Sequence, residues 1–397
     1  MRTHEDAQRP GPAGRASTGY LLNPHVLAHG VQGIDAPTRA PLHFFRKLAG
    51  YGPTQLKELP AAASRLGLAR LYVKDESERF GLPAFKVLGA WWAAYRLLSQ
   101  RLGRQPAGWS TLDDLAAAFA PLRPLTLCAF TDGNHGRAVA RFARFMGFDS
   151  LIFVPSFVVP PRIAAIESEG AEVVVVDGTY EDALAAAAAA ASDTCLLVSD
   201  DAWPGYEQVP RWVIEGYSTM LWEIDDQLAA AGKPGPDVVL VQMGVGALAS
   251  AVVAHYRRPQ ADPQPFVIGV EPLAAPCVFA SLAAGELRAV PGPHTSLMAN
   301  LNCGVPSLVA VPILMSGMSG CVAIADDWAV QGIRELAREG VAAGVTGVAG
   351  YAGLLAVLSE ANPLRERAFR RPTNVLLFCT ESSATDPEGY ERIIGGG

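Results

Sequence analysis

The strongest constraint on this chain is an alternation. Short apolar runs rich in β-branched residues are separated, again and again, by stretches whose apolar residues recur at helical spacing. The runs predict strands at Leu71–Lys74, Leu125–Phe130, Leu151–Val154, Glu172–Val176, Cys195–Ser199, Val238–Gln242, Phe266–Glu271 and Asn374–Cys379. Between them, helices are expected at Phe85–Gln100, Gly136–Phe145, Pro161–Glu169, Tyr180–Ala191, Val209–Ala231, Ala247–His255, Asp326–Ala342 and Gly350–Ser359. Near-continuous apolar strands joined through helices imply a mostly parallel sheet covered on both faces, an α/β fold. The alanine tract Ala185–Ala191 belongs to a helix, because alanine is the strongest helix former. Pro291-Gly292-Pro293 and Asn302–Ser307 mark long loops, and no internal repeat is apparent.

Composition narrows the function. A 397-residue chain that is 50% hydrophobic can build one large core or two moderate ones. A net charge of −7, with no basic cluster interleaved with aromatics, argues against a nucleic-acid partner. The cysteines (Cys128, Cys195, Cys277, Cys303, Cys321, Cys379) form no Cys-x-x-Cys pair or Cys/His cluster, so no structural metal is expected. Cys277 and Cys303 would pair only if their loops met; buried free thiols are the commoner state. The polar stretch Met1–Ser17 lacks the apolar segment of a signal peptide, so residues 1–18 read as a disordered leader. No run of about 20 apolar residues is free of breakers. Val238–Ala254, the best candidate, is interrupted by Gln242, Gly244 and Gly246. A cytoplasmic protein with no membrane segment is expected.

Lys86 has the setting of a reactive amine. Arg70–Asp75 reads as a strand, a loop with Gly81 and Pro83 follows, and from Ala84 the spacing turns helical through Leu88, Trp91, Trp92 and Tyr95. The lysine then lies in the first turn of a helix, beside Phe85 and Val87. Helix N-terminus and desolvation both disfavour its charge, which predicts a lowered pKa and the nucleophilic amine a Schiff base requires. An ordinary snorkelling lysine would look the same in isolation.

Other motifs complete a site. Thr131-Asp132-Gly133-Asn134-His135-Gly136 joins an apolar strand to a helix, and its glycines and N–H groups suit a carboxylate or phosphate. Asp132 is out of place in an anion-receiving loop, and such conflicts occur at functional sites. His135 is expected to shape the loop rather than carry protons. Gln242-Met243-Gly244-Val245-Gly246-Ala247 joins a strand to a helix as a phosphate cradle. With Ala249, and with Glu271 ending the next strand, it also satisfies a dinucleotide fingerprint, so a nicotinamide or flavin oxidoreductase stays open here. That reading leaves Lys86 and Asp132 without a role. Thr380 follows the strand Asn374–Cys379, where a hydroxyl can meet a cofactor ring nitrogen, and Asp200-Asp201 sets two carboxylates at a strand end.

With these motifs in this order, the chain resembles the fold-type-II pyridoxal-phosphate enzymes, and among them the diaminopropionate ammonia-lyase family. The likeness runs from about Leu21 to Tyr390. It is carried by Lys74-Asp75-Glu76-Ser77, Arg79-Phe80-Gly81-Leu82, Ala84-Phe85-Lys86, the Thr131–Gly136 loop, Thr380-Glu381 and Ala384-Thr385-Asp386-Pro387. Threonine and serine dehydratase relatives usually have Ser where Asp132 stands. Pro83 and Ser382-Ser383 depart from the family pattern.

The resemblance implies two open, mostly parallel sheets flanked by helices, with the cofactor in an interdomain cleft. Residues 19–89 and 204–397 would form a large domain and 90–203 a small inserted one. Pyridoxal phosphate would be held by Lys86, Asn134 at its phenolic oxygen, backbone N–H groups of Gly244, Val245, Gly246 and Ala247 at its phosphate, and Thr380 at its ring nitrogen. Thr131, Asn134 and His135 would receive the substrate carboxylate, and Asp200 its amino group. Lys86 and Asp132 would be the two proton carriers. The activity implied is α,β-elimination of D- or L-2,3-diaminopropionate to pyruvate and ammonia, in a homodimer. A serine or threonine dehydratase-like lyase is the alternative, and a non-catalytic sensor a further one.

Overall fold

The segment Val238-Val239-Leu240-Val241 shows how the apolar runs resolve: none of it reaches solvent, and it pairs with parallel neighbours on both sides. The computed structural model describes residues 18–28, 30–259, 261 and 263–396. The expected leader lies outside the described residues, Thr18 excepted. The strands are β1 Gly19–Leu22, β2 Leu56–Glu58, β3 Arg70–Asp75, β4 Thr126–Phe130, β5 Asp149–Pro155, β6 Glu172–Val176, β7 Cys195–Leu197, β8 Val238–Gln242, β9 Phe266–Pro272, β10 Gly320–Ile324 and β11 Asn374–Cys379.

The chain divides into two units. The first holds residues up to Pro37, Thr54–Glu78 and Met220 onward; the second holds Thr38–Pro53 and Arg79–Thr219. Residues 90 and 203, the boundaries expected from the sequence, both fall inside the second unit. That unit also takes in Phe80, whose ring meets Trp91, and Tyr217, which meets Phe85.

The first unit carries a seven-stranded sheet in the order β1-β10-β9-β8-β11-β3-β2. Its five central strands are parallel, while β1 and β2 pair antiparallel at the edges. Strands β1, β2 and β10 go beyond the sequence expectation. They are runs of three to five residues, and their neighbours' backbone groups decide their conformation. The second unit carries the parallel sheet β6-β5-β4-β7. An aromatic cluster packs on its Val87–Leu102 helix: Trp91 meets Phe80 at 5.1 Å, Phe145 at 5.7 Å and Phe142 at 5.8 Å. Trp91 Nε1 also donates to the Ala138 carbonyl at 2.9 Å.

Both sheets reverse their winding order once. In the smaller sheet β5 and β6 lie on one side of β4, and β7 lies on the other. In the larger one β9 and β10 extend from one side of β8, while β11 pairs on the other. Loops leaving neighbouring strands at such a reversal diverge and open a crevice at the carboxyl ends. The β4 and β7 ends lead to Thr131–His135 and Asp200; the β8 and β11 ends lead to Gln242–Ala247 and Thr380.

Candidate active site

In the second unit the reversal point gathers five of the predicted residues, Thr131, Asp132, Asn134, His135 and Asp200. Thr131 is pinned by its N–H to the Phe153 carbonyl at 3.0 Å, and its Oγ1 accepts from Gly133 N at 2.9 Å. Asn134 and His135 open the helix Asn134–Met146, two residues earlier than the apolar spacing predicts. The buried His135 donates from Nε2 to the Val198 carbonyl at 2.8 Å, so its Nδ1 is an acceptor. Burial lowers the His135 pKa against the pull of Asp200, which leaves a neutral ring. That Nδ1 has no hydrogen-bond partner and lies 3.9 Å from Asp200 Oδ2.

Asp200 follows β7 on a turn fixed by Tyr206, whose hydroxyl donates to the Leu197 carbonyl and accepts from Ser199 N. The carboxylate is 6% exposed, and its Oδ2 sits 2.5 Å from Lys86 Nζ. Asp201 is spent locally, accepting from Ala202 N at 2.8 Å. Burial works to raise the Asp200 pKa, but the Lys86 ammonium holds it well below the carboxylate range.

The lysine differs from its sequence expectation in two respects. Lys86 is the N-cap of the Val87–Leu102 helix rather than a residue of its first turn. Its pKa is raised, not lowered: burial does favour the neutral amine, but Asp200 and Tyr217 outweigh it. A helix terminus offers a partial charge, whereas Asp200 offers a full one at hydrogen-bond distance. The half-buried Asp132 has a raised pKa, set first by burial against the pull of Arg162 and Lys86, with Asp200 adding to the rise. The Arg162 guanidinium donates to the Asp132 carbonyl at 3.2 Å and anchors the loop. Tyr217 was not legible from sequence. It is fully buried, its ring meets Phe85 at 4.7 Å, and its hydroxyl has no hydrogen-bond partner.

In the first unit the β8 end turns through Gly244 and Gly246 into the helix Ala247–Tyr256. Gly246 has φ +97°, and a Cβ there would lie 2.9 Å from Leu314 Cδ1. The turn therefore keeps bare backbone, and the helix's first N–H groups have no intrahelical partner. Ser307 borders it, donating from its N–H to the Val245 carbonyl at 2.9 Å, and its buried Oγ has no partner. The buried Thr380 Oγ1 accepts from Gln242 Nε2 at 2.8 Å, which leaves its own proton available to donate. Glu381 is structural: it accepts from Asn300 Nδ2 at 2.6 Å and from Thr346 N at 3.2 Å.

The dinucleotide reading fails on Glu271. That carboxylate is fully buried and accepts from Val278 N at 2.8 Å and Phe279 N at 2.7 Å, at the start of the helix Cys277–Ala284. It cannot meet a ribose. Neither Cys277 nor Cys303 is in a disulfide. Among the described residues no group of His, Cys, Asp and Glu could hold a metal ion, and no helix is long and apolar enough to cross a membrane.

Comparison with known proteins accords with this geometry. Residues 47–379 match the sequence model of the family described as pyridoxal-phosphate dependent enzyme. The chain belongs to that family, and pyridoxal phosphate is its cofactor. It is 34% identical over 378 residues to a diaminopropionate ammonia-lyase of Salmonella typhimurium, across 90% of this chain and 91% of the relative. It is similar in structure to the Escherichia coli diaminopropionate ammonia lyase in complex with D-serine, at TM-score 0.87 and 30% identity, across 96% of this chain and 97% of that one. The same enzyme with an aminoacrylate-PLP azomethine reaction intermediate matches at TM-score 0.86 and 29% identity, with the same coverage. The residues present fit the cofactor. Lys86 offers an amine, the bare turn and the orphaned Ser307 hydroxyl suit a phosphate, and Thr380 offers a buried donor.

Proposed function

We propose that this enzyme catalyses α,β-elimination of 2,3-diaminopropionate, releasing pyruvate and two molecules of ammonia. The reading is supported above all by the Lys86–Asp200 pair at 2.5 Å, with Asp132 near enough for both to bear on its pKa. One unit thus gathers an amine, a carboxylate held charged and a carboxyl biased toward protonation. The similarity to diaminopropionate ammonia-lyases over most of the chain supports the same substrate.

When bound through Lys86, pyridoxal phosphate supplies a conjugated ring that accommodates the electron pair left on Cα after its proton departs. Backbone N–H groups of Gly244, Val245, Gly246 and Ala247, with Ser307 Oγ beside them, would hold its phosphate. Asn134 would hydrogen-bond its phenolic oxygen. Thr380, a hydroxyl rather than a carboxylate, would meet the ring nitrogen without charging it, which favours rapid elimination. Thr131, Asn134 and the backbone N–H of His135 would orient the substrate carboxylate, and Asp200 its amino group.

Lys86 Nζ would take the Cα proton of the L isomer, and the Asp132 carboxylate that of the D isomer from the other face. The Cβ–N bond breaks as that amine is protonated, and in the L reaction Asp132 would supply the proton. Its raised pKa suits it to hold one. A homodimer in the cytoplasm completes the reading.

The test is ammonia release from D- and L-diaminopropionate, serine and threonine. Diaminopropionate should exceed the hydroxyamino acids, and Asp132→Asn should lose the D reaction by at least tenfold more than the L reaction. Equal losses for the two isomers exclude the two-base scheme, and preference for threonine makes the enzyme a dehydratase.

A further inference from the structure

The hydroxyl of Tyr217 is a polar atom with no assigned task. It is fully buried without a hydrogen-bond partner, a costly state that native interiors avoid unless a partner arrives in function. A phenylalanine would fill the same space with no orphaned atom. The ring is also seated deliberately. A Cβ at Gly89 would lie 2.6 Å from Tyr217 Cε1 and 2.7 Å from its Cζ, and one at Gly216 would lie 2.9 Å from Gly89 Cα. Both glycines stand inside helices, Val87–Leu102 and Gln208–Ala230, where glycine weakens the helix. Their shared effect is a close crossing that presses Tyr217 against the start of the lysine helix, beside Phe85.

The charged and titratable groups around Lys86 are Asp200 after β7, Asp132 and His135 after β4, and Tyr217 from the Gln208–Ala230 helix. Three of them have partners or tasks in the reading above, and Tyr217 does not. Burial keeps it a neutral phenol, which can accept from an ammonium and donate to a free amine. A lysine that alternates between those two forms needs that kind of neighbour.

We propose that Tyr217 is a positioning residue for the Lys86 amine, its second hydrogen-bond partner besides Asp200, aiming Nζ at the proton it removes. This rests on the proposed role of Lys86. The test is Tyr217→Phe in the holoenzyme. The pH titration of the bound cofactor's visible absorption band should shift to lower pH than in the parent. Turnover of L-diaminopropionate should fall roughly 10- to 100-fold, the effect of losing one hydrogen bond to a charged group. The D reaction should lose much less, with the melting temperature unchanged. If the variant does not fold, trifluorotyrosine at position 217 acidifies the hydroxyl in the same shape and must move the same titration. A titration and an isomer ratio identical to the parent overturn the proposal. If the reduced cofactor adduct maps to another lysine, the role of Lys86 fails first and takes the proposal with it. An adduct on Lys86 with unmoved Tyr217 readouts rejects Tyr217 alone.

Discussion

At the residue scale, charge in this chain is placed against the preference of its surroundings and then held. Lys86 and Asp200 stabilise each other's ionised forms against burial, while Asp132 and Glu271 yield to it. The buried Glu271 has its pKa pushed up to about 8 from 4.5, against the pull of two backbone N–H groups. Its native state binds a proton that the unfolded chain releases, so its stabilising contribution is full below pH 4.5 and declines as pH rises to about 8. Glu271→Gln should therefore flatten the fall of the melting temperature across that interval. Parallel curves for the two proteins would contradict this. Lys86, Asp132, His135 and Asp200 were legible in sequence because each breaks or ends a local pattern. Tyr217 and Ser307 were not, because an orphaned hydroxyl exists only once tertiary packing has buried it. The pKa of Lys86 runs opposite to the sequence expectation for a related reason: its decisive neighbour, Asp200, lies 114 residues away.

At the scale of elements, function follows from where each sheet reverses direction. The central strands were legible because they are apolar throughout, whereas β1, β2 and β10 are short and take their form from neighbours. The helix Leu112–Phe119 goes beyond the sequence expectation although Thr111 and Asp114 form a capping box, a signal the sequence does contain. On β3, Lys74 is fully buried and pairs with Glu223 at 2.8 Å, with further bonds to the Thr54 carbonyl and Gln227. Glu223→Ala strands that charge and should cost about 3–5 kcal/mol, measured by denaturant unfolding. A cost below 1 kcal/mol would show that water reaches Lys74. The helix crossing at Gly89 makes a second prediction. Gly89→Ala improves helix propensity yet collides with Val213 and Tyr217, and should lower stability by about 1–3 kcal/mol. A stabilised variant would mean that the crossing can open without loss.

At the scale of the whole molecule, the second unit carries an amine with its carboxyls, and the first carries a turn of bare backbone and a buried hydroxyl. The proposed homodimer predicts a mass by light scattering of twice the 41.9 kDa chain, and a single-chain mass at micromolar concentration would refute it. The α/β class and the order of the motifs were legible along the chain, because strand–turn–helix signals are local. The division into units was not, since contacts between distant segments decide it. The account's central claim is that the side chain at position 86 carries the cofactor. Borohydride reduction of the yellow holoenzyme, followed by proteolysis and peptide mapping, tests it directly. The account predicts one pyridoxyl group on the peptide containing Phe85-Lys86-Val87. A label on any other lysine, or a protein that takes up no cofactor, contradicts it.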